Sequence, residues 1–344
     1  MLLAGCSTPV TPTHVLPTAT PPAVPTLTPT TAPTVGSPAH GLSDAEVATL
    51  SSLKQVDDYP LYTMRYHGAY AQRMSLTGDT SPPAWACSLF AALGDADHML
   101  YGRNFDWEYS PAVLLFTDPP DGHASVSMVD IAYLGFEGDK ASGLTDLPLT
   151  QRRSLLNAPR WPFDGMNEHG LAVGMAAVSP GQMRRDPDKE TIGSLGVIRR
   201  ILDHARTVDE AVAILQSYNV DMGGGPPIHY LIADPSGRAV LVEFYQGEMV
   251  VMPNEQPWHQ ATNFLRASVE SAAGQCWRYD RISQRLTAAG GRMTPSDALD
   301  LLAAVAQNST QWSILYEMST GDVRVVMGKK YDDQHAFHLS LAGE

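Results

Sequence analysis

Two short apolar runs separated by an acidic turn constrain this chain more than any other feature. Cys87-Ser-Leu-Phe-Ala-Ala-Leu93 is followed by Gly94-Asp-Ala-Asp97, and His98 to Tyr101 opens a return run that ends in Gly102-Arg103-Asn104-Phe105-Asp106. Apolar runs of this length on either side of a Gly/Asp cluster read as an antiparallel hairpin. Such a hairpin carries the guanidinium of Arg103 and the carboxylate of Asp106 back toward the thiol of Cys87. Because residues three apart on a regular strand face opposite ways, both reach the thiol only where the strand ends or bulges.

A cation beside a cysteine lowers the thiol pKa and favours the nucleophilic thiolate. The same residues also read as a buried small hydrophobe next to a local ion pair between Arg103 and Asp106. The segment alone leaves these two readings level.

Cys-x-x-x, a hairpin and Gly-Arg-Asn-hydrophobic-Asp together resemble the start of the mature chain in the choloylglycine hydrolase, penicillin V acylase and acid ceramidase superfamily of N-terminal-nucleophile amide hydrolases. The likeness continues in order through Asp164-Gly-Met-Asn167-Glu-His-Gly-Leu171, Ile228-His-Tyr-Leu-Ile-Ala-Asp234-Pro-Ser-Gly237, Glu243, Thr262-Asn263 and Trp277-Arg278-Tyr-Asp-Arg281. It implies an α+β fold, the four-layer αββα sandwich with two antiparallel sheets. It also implies hydrolysis of a linear, non-peptide amide of a small N-acyl substrate through a Cys87 thioester, after self-cleavage between Ala86 and Cys87. The freed α-amine, titrating near ~7.7–8.0, is then the base.

On this resemblance Asp106 orients that amine, Arg103 stabilises the thiolate, Asn263 is the side-chain oxyanion donor and Arg278 is the second arginine of the site. One departure is Ala177, where the family's bile-salt hydrolases carry an Asn; a backbone N–H there still serves an oxyanion, but a side-chain contact to substrate is gone. Phe105, Trp107, Met166 and Met175 are candidates to line an acyl pocket, although such residues are more often core. No metal or organic cofactor is implied.

The first forty-odd residues are a different material. From Ser7 to Ser43 the chain is rich in Thr, Pro, Ala and Val and holds no Lys, Arg, Asp or Glu. That composition favours extended conformers and offers no periodic apolar face, as expected of a disordered tether. Just before it, Leu3-Ala4-Gly5-Cys6 resembles a bacterial lipobox, which makes Cys6 a lipidation site. The expectation is an extracytoplasmic lipoprotein held to the membrane surface by its anchor alone. No run reaches the ~18 apolar residues of a spanning helix. A formal net charge of −14 without a basic cluster argues against nucleic-acid partners.

The organisation expected is therefore residues 1–43 as lipobox and tether, 44–86 as a pro-segment, and 87–344 as the catalytic domain. Within the pro-segment, Asp44 to Leu53 has a helical pattern, Tyr59 to Tyr70 is aromatic-rich, and Thr77 to Ala86 reads as an exposed loop. Downstream, strands are expected at Ala112–Phe116, Ser125–Tyr133, Leu171–Val178, Ile228–Asp234, Ala239–Tyr245, Glu248–Met252, Ile314–Met318, Val323–Met327 and Ala336–Leu341. Ile192, Leu195, Ile198, Leu202 and Ala205 fit one helical face. Thr207-Val-Asp-Glu210 reads as a capping box that starts another helix, and Thr294-Pro-Ser-Asp297 starts a further one.

Weaker signals remain. His335-Ala-Phe-His338 with Asp332 and Asp333 offers metal-ligand residue types, but the two histidines of a strand point to opposite sides, so they read as solvated side chains. His259 lies near Asn263, and a lone histidine is more often structural. With Cys6 lipidated and Cys87 catalytic, Cys276 is left as a partly buried free thiol; a Cys87–Cys276 bridge is the alternative. Two rival activities stay open: acyl transfer from the same thioester to an amine, and a catalytically silent surface protein that binds acylated ligands.

Overall fold

The computed structural model describes residues 41–70, 86–179, 183–223 and 225–343. Cys6, most of the expected tether and the stretch from Thr77 to Ala84 lie outside the described residues. Two sheets dominate. The larger has nine strands in the order β1-β2-β5-β6-β7-β8-β11-β12-β13. These are β1 (Lys54–Asp57), β2 (Leu61–Tyr66), β5 (Ala112–Thr117), β6 (Ser125–Asp130), β7 (Asp164–Asn167), β8 (Ala172–Ala177), β11 (Ile228–Ala233), β12 (Ala239–Tyr245) and β13 (Glu248–Pro253). The smaller has six, β14-β3-β4-β15-β16-β17. They are β14 (Trp258–Ala261), β3 (Ala86–Ala92), β4 (Leu100–Asp106), β15 (Thr310–Glu317), β16 (Asp322–Met327) and β17 (His335–His338). A two-stranded parallel ribbon joins β9 (Glu190–Gly193) to β10 (Tyr218–Asp221).

The sheets stack face to face, with helices outside. Helices α2 (Gly196–His204) and α3 (Val208–Ser217) cover the larger sheet, while α4 (Trp277–Ala289) and α5 (Pro295–Ala304) cover the smaller. This is an α+β architecture of four layers, αββα, in which the central strands are buried on both faces, and it explains why strands such as β3, β4 and β15 read as continuous apolar runs. The main core fills the space between the sheets with Leu89, Tyr101, Phe105, Phe163 and Trp312 among others. A second core lies between the smaller sheet and its helices, where Phe90 and Leu100 meet Ile282, Leu286 and Leu302. The sheets approach closely at Gly174, where a Cβ would sit 2.9 Å from Leu89 and from the Tyr101 hydroxyl.

The segment ahead of Cys87 is built into the larger sheet. Helix α1 (Asp44–Ser51) starts at a capping box between Ser43 and Glu46, which closes two of the helix's orphan N–H groups. Strand β2 pairs in parallel with β5 from Leu61↔Ala112 to Tyr66↔Thr117. Its Tyr62 and Met64 share a third core with Leu50, Val113, Leu115 and Leu155.

Local differences from the sequence reading have physical causes. Ile192 belongs to the β9 ribbon, and the helix begins only at Gly196, because its pairing with Val220 claims the earlier residues. The expected strand Ser125–Tyr133 stops at Asp130, whose carboxylate caps a 3-10 turn at Ile131–Leu134. Glu210 does not close a capping box on Thr207; it bonds the Arg206 N–H instead. Cys87 is a free thiol, so it is not bridged to Cys276. Cys276, at the N-cap of α4, is fully rather than partly buried.

Candidate active site

The hairpin forms as its sequence suggests, with Cys87 opposite Phe105, Leu89 opposite Arg103 and Ala86 opposite Asp106. Strand β4 has no bulge within this pairing, so alternation sends Arg103 and Asp106 to opposite faces. Arg103 turns into the space between the sheets with Cys87. Asp106 turns toward α4 and α5. The bulge instead lies in β15, between Thr310 and Trp312, opposite the end of β4.

On the inter-sheet face, Arg103 Nη2 donates to Cys87 Sγ at 3.4 Å. Its Nη1 donates to the Phe163 carbonyl at 2.8 Å and pairs with the Asp164 carboxylate. Tyr316 Oη donates to the other Asp164 oxygen at 2.6 Å. The Arg103 guanidinium also lies over the Phe105 ring, 5.1 Å from its centroid. Thiol, guanidinium and carboxylate are all fully buried. Burial pushes the Cys87 thiol up, against the charge and hydrogen bond of Arg103. It likewise pushes the Asp164 carboxyl up, with Arg103 and Tyr316 opposing. For Arg103 burial works against the charge, but the facing Cys87 and Asp164 hold its pKa above the ordinary guanidinium value.

On the helix side, Arg278 reaches down from α4. Its Nη1 donates to the Cys87 carbonyl at 2.6 Å, to Ser88 Oγ at 2.9 Å and to Asp106 Oδ2 at 3.2 Å. Asp106 also accepts from Thr310 Oγ1 at 2.5 Å and from Gln307 Nε2 at 2.8 Å. Burial raises the Asp106 pKa against these donors and lowers that of Arg278 against Asp106 and Cys87.

Asn263, just past β14, crosses the gap between the layers. Its Oδ1 accepts from the Cys87 N–H at 2.8 Å and from Arg278 Nη2 at 2.7 Å, while its Nδ2 donates to the Ala177 carbonyl at 2.8 Å. Ala177 faces Ile228 in β11, and the next residue, Val178, donates to Pro227. Antiparallel pairs alternate, so the N–H and C=O of Ala177 turn away from β11 toward the mouth where Asn263 sits.

Five residues singled out from the sequence, Cys87, Arg103, Asp106, Asn263 and Arg278, thus form one connected network, with the Ala177 backbone attached. Two expectations change. The nitrogen of Cys87 is held by Asn263, not by Asp106, which reaches Cys87 only through Arg278. Arg103 pairs with Asp164 and not with Asp106, because the two lie on opposite faces of β4. Asp164 was missed as a member of the site; its signal was the first letter of the Asp-Gly-Met-Asn run.

The pocket candidates separate. Phe105 is buried beside Cys87 and stacks on Trp312 at 4.1 Å between centroids. Trp107 is half-buried against the same core. Met166 is buried and, two residues from Asp164 on β7, shares its inter-sheet face. Met175 lies next to Gly174 on β8 and so faces the helix layer, away from Leu89 and the hairpin. His259 is not a free base: its Nε2 lies 3.0 Å from the Met252 carbonyl, its Nδ1 accepts from the Gln260 N–H, and burial lowers its pKa to about 4. His335 and His338 bond Asp57 and Asp322 separately.

Residues 162–298 match the family described as Acyl-coenzyme A:6-aminopenicillanic acid acyl-transferase. Among solved structures, a mutant of the conjugated bile acid hydrolase from Clostridium perfringens is similar at 16% identity and a TM-score of 0.53, covering 74% of this chain and 92% of that one. A second variant of that hydrolase gives 14% identity and a TM-score of 0.51, over 73% and 92% of the two chains. Penicillin V acylase from Agrobacterium tumefaciens is similar at 16% identity and a TM-score of 0.48, over 70% and 83%.

Proposed function

We propose that this chain is a cysteine amidase of the N-terminal-nucleophile linear amide hydrolase type, a reading supported by the family match over residues 162–298 and by the likeness of fold to conjugated bile acid hydrolase, and that it cleaves the carbon–nitrogen bond of a small, linear N-acyl substrate through a Cys87 thioester. The observation that carries this reading is the Cys87 residue itself: its thiol meets a buried guanidinium at 3.4 Å and its nitrogen is held by Asn263 at 2.8 Å. In the intact chain that nitrogen is an amide and cannot act as a base. Self-cleavage converts it: Sγ adds to the Ala86 carbonyl, the thiol proton passes to the departing Cys87 nitrogen, and water then hydrolyses the Ala86 thioester. The α-amine produced titrates near ~7.7–8.0 and lies within reach of its own thiol.

In turnover the amine takes the thiol proton, Sγ attacks the substrate carbonyl, and the proton is returned to the leaving amine. Arg103 stabilises the thiolate. Asn263 and the Ala177 N–H are assigned to the oxyanion, and water releases the acid. Phe105, Trp107 and Met166 are assigned to the acyl group. Arg278 and Asp106 position the Cys87 backbone.

A second reading is acyl transfer, favoured by the name of the matched family, in which an amine rather than water takes the thioester. Incubating the processed protein with N-acyl amines of graded chain length, with and without a second amine, distinguishes them. Free acid as the main product supports the amidase. A product mixture that shifts wholly to the new amide at low added amine supports transfer, and no cleavage or labelling of Cys87 by any acyl probe overturns both. Lipidation at Cys6 and an extracytoplasmic tether remain part of the proposal.

A further inference from the structure

Away from Cys87, the loop between β5 and β6 meets the turn between β7 and β8. His123 Nδ1 lies 3.2 Å from His169 Nε2 and 3.4 Å from Glu168 Oε1, and the three atoms fall within 4.8 Å of one another. Two nitrogens and one carboxylate oxygen bound to a tetrahedral ion at ~2.0–2.1 Å are separated by about 3.3 Å, which the two separations from His123 Nδ1 match.

The backbones that carry these side chains are pinned. His123 N–H donates to the Asp203 carbonyl and Glu168 N–H to the Ala124 carbonyl, both at 2.8 Å. Asn167 Oδ1 accepts from the His169 N–H at 3.1 Å, and its Nδ2 is tied to the carbonyls of Leu202 and Ala205. Gly170 turns the chain at φ +72°, where a Cβ would lie 2.2 Å from the Met318 carbonyl oxygen. The two imidazoles are set edge to face, 4.4 Å between centroids.

Glu168 Oε1 also accepts from the Ala124 N–H at 3.3 Å, but hydrogen bonds do not serve both contacts of His123 Nδ1. If His123 Nδ1 donates to Glu168, it has no lone pair for His169; if it accepts from His169, its lone pair faces the carboxylate. A cation at the shared apex takes a lone pair from each. The nearby Arg206 is engaged by Glu210, at 2.7 Å from its N–H and 3.0 Å from its guanidinium, so its charge is offset. The other grouping of this kind, Asp57, Asp333 and His335, differs: the Lys330 ammonium lies 3.4 Å from Asp57 and His335 bonds it at 2.7 Å.

We propose that His123, Glu168 and His169 bind one divalent transition-metal ion of the zinc type, with a remaining position open to water because all three residues are only half-buried. The ion ties the β5–β6 loop to the β7–β8 turn, at the other end of the strand that starts with Asp164. This site stands independently of the amidase reading.

The test uses tag-free full-length protein stripped with EDTA and dialysed. ZnCl2 titrated by calorimetry should bind at about one equivalent, and CoCl2 should give visible bands of a low-coordinate site. His169→Gln and His123→Ala should each weaken zinc by at least ~10–100-fold, and Glu168→Gln should weaken it while leaving the metal-free circular dichroism spectrum unchanged. Asp333→Asn should bind as wild type does. Zinc should raise the Tm of wild type but not that of His123→Ala. Absence of one-equivalent binding in the wild type, or equal binding by all three ligand variants, overturns the site.

Discussion

The two faces of the hairpin that carries Cys87 each bury an arginine with an aspartate, and they do different work. Between the sheets, Arg103 touches the thiol itself, with Asp164 paired to the guanidinium behind it. On the helix side, Arg278, paired with Asp106, touches the Cys87 carbonyl and, through Asn263, its nitrogen. On the proposed mechanism, one pair governs the charge of the nucleophile and the other its placement. Buried ion pairs are costly to assemble and costlier to break, so neither pair is itself evidence of stability. What the contrast teaches is that equal chemistry on opposite faces of one strand can divide a reaction's needs.

The largest effect should come from the atom both pairs converge on. Cys87→Ser is expected to lose at least ~10²-fold in turnover and to slow or stop cleavage before residue 87, because a hydroxyl is far less acidic than a thiol. Wild-type turnover by that variant would dissolve the comparison.

Next come the two arginines, and here the readouts should part. Arg103→Lys keeps the charge but loses the planar fork. Turnover should fall by ~10–10²-fold, and the acid limb of kcat/KM against pH should move upward, since the thiolate loses its hydrogen bond. Arg278→Lys should slow the appearance of a Cys87 N-terminus and leave that limb in place. If both variants move the same limb equally, the division between charge and placement is wrong.

The aspartates sharpen it further. Asp164→Asn leaves Arg103 facing the thiol without its carboxylate, so the acid limb should shift downward while the Tm drops. Asp106→Asn should lower the Tm without that shift. The smallest effect is expected at a third buried carboxylate, Asp130, which has a backbone N–H and Ser110 as partners and no cation. Burial raises its pKa to about 7. A carboxyl raised in the folded state adds stability below its ordinary value of 3.8 and loses it as the pH rises toward 7. Asp130→Asn should therefore gain Tm over wild type progressively between pH 4 and 7, by about 2–4 °C per kcal/mol in a domain of this size, and level off above.

Much of this was legible in the sequence because it rests on local signals. The Gly94-to-Asp97 turn and the flanking apolar runs fix the hairpin, and Thr294 marks the start of α5. Ion pairing was not legible, because it depends on which face a residue occupies once strands from distant parts of the chain are stacked. Asp106 is near Arg103 in sequence but across the strand from it, whereas Asp164 is 61 residues away and directly opposite. Met175 failed as a pocket candidate for the same reason. Residues Ile131 to Arg160, with their 3-10 turns, carry no clean period of 2 or 3.6 and gave no signal.

The central claim is that the nitrogen held by Asn263 becomes a free amine. The most direct measurement is intact mass and N-terminal sequencing of the purified active protein, together with an electrophilic acyl probe. A chain beginning at Cys87 and carrying one label at that residue is expected, with segment 44–70 co-purifying because β2 and α1 remain packed on β5 and the second layer. Full turnover by a chain whose N-terminus still lies upstream of Cys87 would contradict the account.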